Sequence, residues 1–86
     1  MKKSEMLKEN REAILNELIK GCAIVLEGKG STDYTVIMPE KKEEYFTITY
    51  ENIRNCEASP DADAAVREWA ERLVDGDIFL AEFFEN

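Results

Sequence analysis

Gly21-Cys22-Ala23-Ile24-Val25-Leu26-Glu27-Gly28-Lys29-Gly30-Ser31-Thr32-Asp33-Tyr34-Thr35-Val36-Ile37-Met38 is the stretch on which the fold turns. Residues 22–27 and 34–38 are rich in β-branched and aromatic side chains, a composition that favours sheet over helix. The loop between them holds glycines able to take positive φ, so the stretch reads as a hairpin. Residues 39–44 follow, where Pro39 and a run of charge stop the ladder. Residues 45–50 then supply a third run, which completes a three-stranded antiparallel meander. Within it Phe46, Ile48 and Tyr50 alternate with Tyr45, Thr47 and Thr49, so one face is expected to bury apolar side chains under the helices and the other to meet solvent or a partner.

Outward from this centre, residues 2–20 read as one amphipathic helix. Leu7, Ile14 and Leu18 recur at near-helical spacing, Leu15 and Ile19 widen the stripe, and Gly21 stops it. Ser4 is the expected N-cap, with Glu5 in the first turn where the helix dipole favours a carboxylate. Arg11 projects into the apolar stripe, so its stem lies along the core edge with the guanidinium in water, or it pairs with a carboxylate. Ser59 and Pro60 mark a second helix start. Val66, Trp69 and Leu73 form its inward stripe, and Gly76 offers a left-handed stop. The tail, residues 77–86, reads as a short helix capped by Asp77 that buries Phe79 and Phe83 or Leu80 and Phe84, or as a fourth strand. The expected architecture is therefore α+β: an N-terminal helix, a three-stranded antiparallel sheet, then one or two helices on one sheet face. No repeat or linker divides the chain, so residues 1–86 are expected to form a single domain.

Composition narrows the chemistry. The longest apolar runs, at 23–26 and 78–81, are only about four residues against the roughly 20 a membrane helix needs, and glutamates interrupt the place of a signal-peptide core. A cytoplasmic protein is expected. Cys22 and Cys56 are too few for a disulfide framework and too far apart for a CxxC pair, and are expected to be reduced structural thiols. With no histidine, the commonest general base and metal ligand is missing and Ser/His/Asp or Cys/His sites are impossible. Gly28-Lys29-Gly30-Ser31 resembles the end of a P-loop, but Ala23 stands where that motif needs glycine and a strand follows it. Asp61 with Asp63, and Asp75 with Asp77, lack the continuing ligands of a calcium loop and read as helix-end carboxylates. Paired carboxylates alone can do acid–base work, yet no pair is flanked by an obvious apolar pocket, and a chain this small has little room for a substrate cleft. No catalytic residue, cofactor or metal is expected.

Charge is the distinctive property. The chain carries a net charge of −8. Residues 1–30 hold six basic and five acidic groups, residues 31–56 three and five, and residues 57–86 two and nine. An acidic surface repels nucleic acid and anionic membrane, so a partner recognised by charge is basic. At 100° per residue, Asp61, Glu68, Glu71 and Asp75 fall on one side of their helix, opposite Val66, Trp69 and Leu73. Asp77, Glu82 and Glu85 extend the acidic set, and Arg72 at its border dilutes it. These seven carboxylates are the expected partner-binding residues.

The order helix, meander, helices in a small acidic chain resembles the phage-encoded anti-CRISPR proteins that act as DNA mimics. The stretch Ala65-Val66-Arg67-Glu68-Trp69-Ala70-Glu71-Arg72-Leu73, followed by Asp75-Gly76-Asp77 and Glu82-Phe83-Phe84-Glu85, is similar in character to their acidic C-terminal helices. The resemblance implies a non-enzymatic inhibitor, acting in the host cytoplasm, that occupies the DNA-binding surface of a CRISPR effector nuclease. Neighbouring carboxylates on a helix stand about 5–6 Å apart, close to phosphate spacing, and arginine pairs with either group bidentately. An immunity or antitoxin-like protein capping a basic toxin fits the same size and acidity. A module that homodimerises through the outer Tyr45, Thr47 and Thr49 face is the third reading.

Overall fold

Buried side chains at Ile14, Leu15, Leu18, Cys22 and Val25 keep a helical spacing straight through Gly21. The computed structural model, which describes residues 2–85, places them on one helix. Its elements are α1 (Lys3–Glu9), α2 (Arg11–Gly28), β1 (Tyr34–Ile37), β2 (Glu44–Ile48), α3 (Tyr50–Glu57) and α4 (Ala62–Glu85). The expected first strand, residues 22–27, is thus the last part of α2, and the sheet has two strands. The class remains α+β; among the described residues the three-stranded meander is replaced by a single hairpin with four helices.

Gly21 explains the difference. A Cβ there would lie 2.5 Å from Tyr34 Cδ1 and 2.8 Å from Ile48 Cδ1, so the missing side chain lets α2 rest directly on the hairpin. Its role is close approach, and the roughly 1 kcal/mol that glycine costs in a helix interior relative to alanine is offset by that contact. α2 ends instead at Lys29, which is left-handed at φ 49° and donates its amide to the Val25 carbonyl at 2.9 Å. Gly30 supplies the positive φ, at 91°, in the loop to β1.

The expected helix over 2–20 is also divided. Asn10 sits at φ −103°, ψ 11° and its side-chain amide donates to the Met6 carbonyl at 2.9 Å, a local bond that competes with helical continuation. Ser4 does not cap α1. It is buried, and its hydroxyl is turned to the far end of the chain.

The hairpin is antiparallel, with Tyr34 opposite Ile48, Thr35 opposite Thr47 and Val36 opposite Phe46; Ile37 then pairs with Glu44. Tyr45 is skipped in this register. As the extra residue of a bulge it turns off the outer face, and it lies half-buried beside Phe46. β2 ends at Ile48 because Thr49 begins a capping box: its amide donates to Asn52 Oδ1 at 2.9 Å, and its hydroxyl accepts from the Asn52 amide at 3.3 Å. The resulting α3 buries Ile53 and Cys56.

α4 starts two residues later than expected. Asp61 accepts from the Ala64 amide through its side chain at 3.1 Å and from the Ala65 amide through its carbonyl at 3.0 Å, as an N-cap does, while the Ser59 hydroxyl accepts from the Asp61 amide at 3.4 Å. Gly76 does not stop the helix, which continues to Glu85; Asn86 lies outside the described residues. The tail is therefore helix, continuous with α4. Val66, Ala70, Val74, Ile78 and Ala81 form its buried line. Trp69 packs on Phe46 of β2 with ring centroids 6.1 Å apart, tilted by 52°. One core joins α1, α2, the hairpin, α3 and α4.

Candidate protein interface

α4 carries seven carboxylates and two arginines, and the seven expected partner-binding residues, Asp61, Glu68, Glu71, Asp75, Asp77, Glu82 and Glu85, lie on it or at its cap. The structure gives each of them a partner within the chain. Asp61 caps the helix. Glu68 pairs with Arg72 at 2.5 Å and Glu71 with Arg67 at 3.6 Å, both at i, i+4 on the outer face. Asp75 accepts two bonds from Arg11, from Nε at 2.9 Å and Nη2 at 3.0 Å. The same guanidinium stands 3.6 Å from Glu71, so Arg11 reaches out of the core edge and pairs with carboxylates.

The last three carboxylates face other elements. Asp77 accepts from the Tyr45 hydroxyl at 2.5 Å. Glu82 pairs with Lys8 of α1 at 2.7 Å, and Glu85 accepts from the Ser4 amide at 3.0 Å and the Ser4 hydroxyl at 2.5 Å. Each bond shifts its group in the direction it should. The hydrogen bond to Arg11 holds the Asp75 carboxyl below its ordinary value, and those from Ser4 do the same for Glu85. The bond to Glu82 raises the Lys8 ammonium. Burial, then the bond to Asp77, pushes the Tyr45 phenol up. The predicted set thus divides in two. Asp77, Glu82 and Glu85 tie α4 to β2 and α1, with Asp75 linked across to α2. Asp61, Glu68 and Glu71 stay on the outer ridge with Asp75, held by a cap, by i, i+4 pairs and by Arg11.

The outer sheet face expected at Tyr45, Thr47 and Thr49 is not assembled. Tyr45 is bulged inward, Thr49 caps α3, and what remains is the Thr35 and Thr47 pair, hydroxyls 3.3 Å apart, with Ile37 beside it. A different apolar surface is present. Phe79, Leu80, Phe83 and Phe84 are 68, 51, 65 and 78% exposed, where two of the four were expected to be buried. The inner side of this half of α4 is taken by Ile78 and Ala81. A helix with apolar groups on both sides leaves one of them open unless another layer covers it, and that two-sidedness is the signal in the sequence that marks this face. A hollow of about 390 Å³ runs beside it, lined by Lys3, Asp77, Leu80, Ala81, Phe84 and Glu85.

Among the described residues no group of three acidic or cysteine side chains is placed to hold a metal ion, and no helix is long and apolar enough to cross a membrane. Cys22 and Cys56 are both buried and unbridged. Burial pushes the Cys22 thiol up to about 12 and raises that of Cys56. The chain matches no protein-family model, no curated protein and no solved structure.

Proposed function

We propose that this chain is a non-enzymatic inhibitor that docks on a basic, nucleic-acid-binding protein through the outer ridge of α4, its carboxylates standing where phosphates would lie. The observation that carries the reading is the concentration of acid on one uninterrupted 24-residue helix whose outer face is open to solvent. From Asp61 to Asp75 the ridge runs about 20 Å at 1.5 Å per residue. The i, i+4 pairs on it are exposed, and such pairs contribute only about 0.3–0.5 kcal/mol. A guanidinium of the partner can therefore replace Arg67 or Arg72 at little cost, with Asp61 and Glu68 engaged beside it. A CRISPR effector nuclease is the partner the resemblance implies.

The test is a salt series. Proteins retained from the native host by the immobilised chain at low salt are identified by mass spectrometry, purified, and titrated with the chain as ionic strength rises. Affinity is expected to fall steeply, because charges more than about 8 Å apart are screened at physiological ionic strength. A partner bound with equal affinity at all salt concentrations overturns the reading.

A further inference from the structure

The open apolar face of α4 is separate from the acidic ridge and is self-complementary. At 100° per residue, Gly76, Phe79, Leu80 and Phe83 fall within about 100° of one another. Gly76 and Phe83 are seven residues apart, two turns along the same line. Gly76 is exposed in the middle of α4, and among the described residues no atom beyond its own stretch of helix backbone and its chain neighbours comes within 4 Å of where its Cβ would be. No packing among the described residues requires glycine there, and glycine weakens a helix. A bare spot on a helix surface does admit a large side chain from a second helix.

From these observations we infer that α4 pairs with α4 of a second copy of this chain, antiparallel about a two-fold axis between Phe79 and Leu80, with Phe83 of each copy seated on Gly76 of the other. A two-fold interface brings the same patch from both copies together, so a projection and its recess must lie on one surface; here they are two turns apart on either side of the axis. Phe79, Leu80, Phe83 and Phe84 expose about 500 Å² together, judged from the 150–250 Å² an aromatic side chain can bury. Two copies would cover about 1,000 Å², the lower bound for a specific interface. The acids flanking the patch carry partners of their own, Asp75 from Arg11, Glu82 from Lys8 and Asp77 from Tyr45, so the seam does not set bare carboxylates against one another.

Each copy retains a net charge of −8, which fixes the salt response. Screening weakens repulsion between like-charged copies, so self-association strengthens as salt rises, opposite to docking on a basic partner. Sedimentation equilibrium of the purified full chain, over a concentration range at low and high salt, reads this directly. The expected result is a monomer–dimer equilibrium that tightens with salt. Phe79→Ser/Phe83→Ser and, separately, Gly76→Gln should each raise the dissociation constant by at least about tenfold. Gly76→Gln is the discriminating variant: glutamine is a better helix former than glycine, so circular dichroism and melting should show the monomer fold intact. A chain that stays monomeric at every concentration and salt overturns the inference and leaves the face to a different partner. A dimer that survives Gly76→Gln, or both sets of changes, overturns it too. Charge reversal at Glu68 lowers the repulsion between copies and should not weaken the dimer, so this inference and the acidic-ridge reading can fail separately.

Discussion

Replacing glycine by alanine inside a helix is expected to have opposite effects at two positions of this chain. At Gly76 the new methyl meets nothing within 4 Å, and the substitution should add about 0.8–1 kcal/mol of helix stability. At Gly21 the same propensity gain applies, but the methyl would sit 2.5 Å from the Tyr34 ring and 2.8 Å from the Ile48 methyl. Ile48 is fully buried and Tyr34 is tied through its hydroxyl to Glu17 at 2.9 Å, so neither yields freely. Inserting a methyl into a packed site costs about 1–3 kcal/mol. Gly21→Ala should therefore be neutral to destabilising by about 2 kcal/mol, and the gap between the variants should equal the overpacking cost, about 1–3 kcal/mol. Urea unfolding at dilute, monomeric concentration measures both. With a slope near 1 kcal/mol/M for a small domain, Gly76→Ala should move the midpoint up by about 1 M and Gly21→Ala down or not at all. If both variants rise equally, α2 does not rest on the hairpin through Gly21, and the packing described here is wrong.

Three further outcomes follow from the polar contacts and the thiols. Tyr45→Phe leaves Asp77 without its donor and should cost about 1.5–3 kcal/mol in the same urea assay, the range for hydrogen bonds to charged groups; no change in midpoint would mean that bond is not made in solution. Asp75 and Glu85 are held below their ordinary values, so the folded state binds fewer protons than the unfolded one. The stability they contribute is complete above the unfolded values, 3.8 and 4.5, and is lost as pH falls through the lowered ones; Ser4→Ala should flatten part of that decline in thermal melts, and an unaltered profile would count against the Ser4–Glu85 contact. The raised Cys22 thiol acts at the other end of the scale, with its contribution intact below pH 9.0 and declining as pH rises towards about 12. At neutral pH both cysteines should resist a thiol reagent until urea unfolds the chain, and rapid labelling of the native protein would place them outside the core.

The parts of the fold legible in the sequence were those whose signal is local. The hairpin from β1 to β2 was marked by its β-branched residues around Pro39 and the charge run, and the inward line of Val66 and Trp69 by its period. The misplaced first strand and the misplaced end of α4 share one cause, which is glycine read as punctuation. Gly21 and Gly76 both occupy helix interiors, one pressed against Tyr34 and Ile48, the other open, and sequence alone does not separate a glycine that ends a helix from one that lets something approach it. The strand reading of residues 22–27 followed from stopping the helix at Gly21. α3 escaped notice because its box closes with Asn52 where glutamate or glutamine is the usual third residue. The acidic set was found as residues but not as contacts: Arg11, Lys8, Ser4 and Tyr45 come from 32 to 81 positions away, and no periodicity within α4 announces them.

The claim that the outer ridge of α4 is the docking surface is tested most directly by measuring the affinity of the purified partner for three forms of the chain: wild type, Glu68→Lys, and Phe79→Ser/Phe83→Ser. Glu68 is exposed and pairs with Arg72 of its own helix, so its reversal should leave the fold standing, unlike reversal of Asp75, which would strand Arg11. The charge-reversed chain should lose at least about tenfold in affinity while the phenylalanine variant still binds. Full affinity in the charge-reversed chain, with binding lost on removal of the phenylalanines, would contradict it.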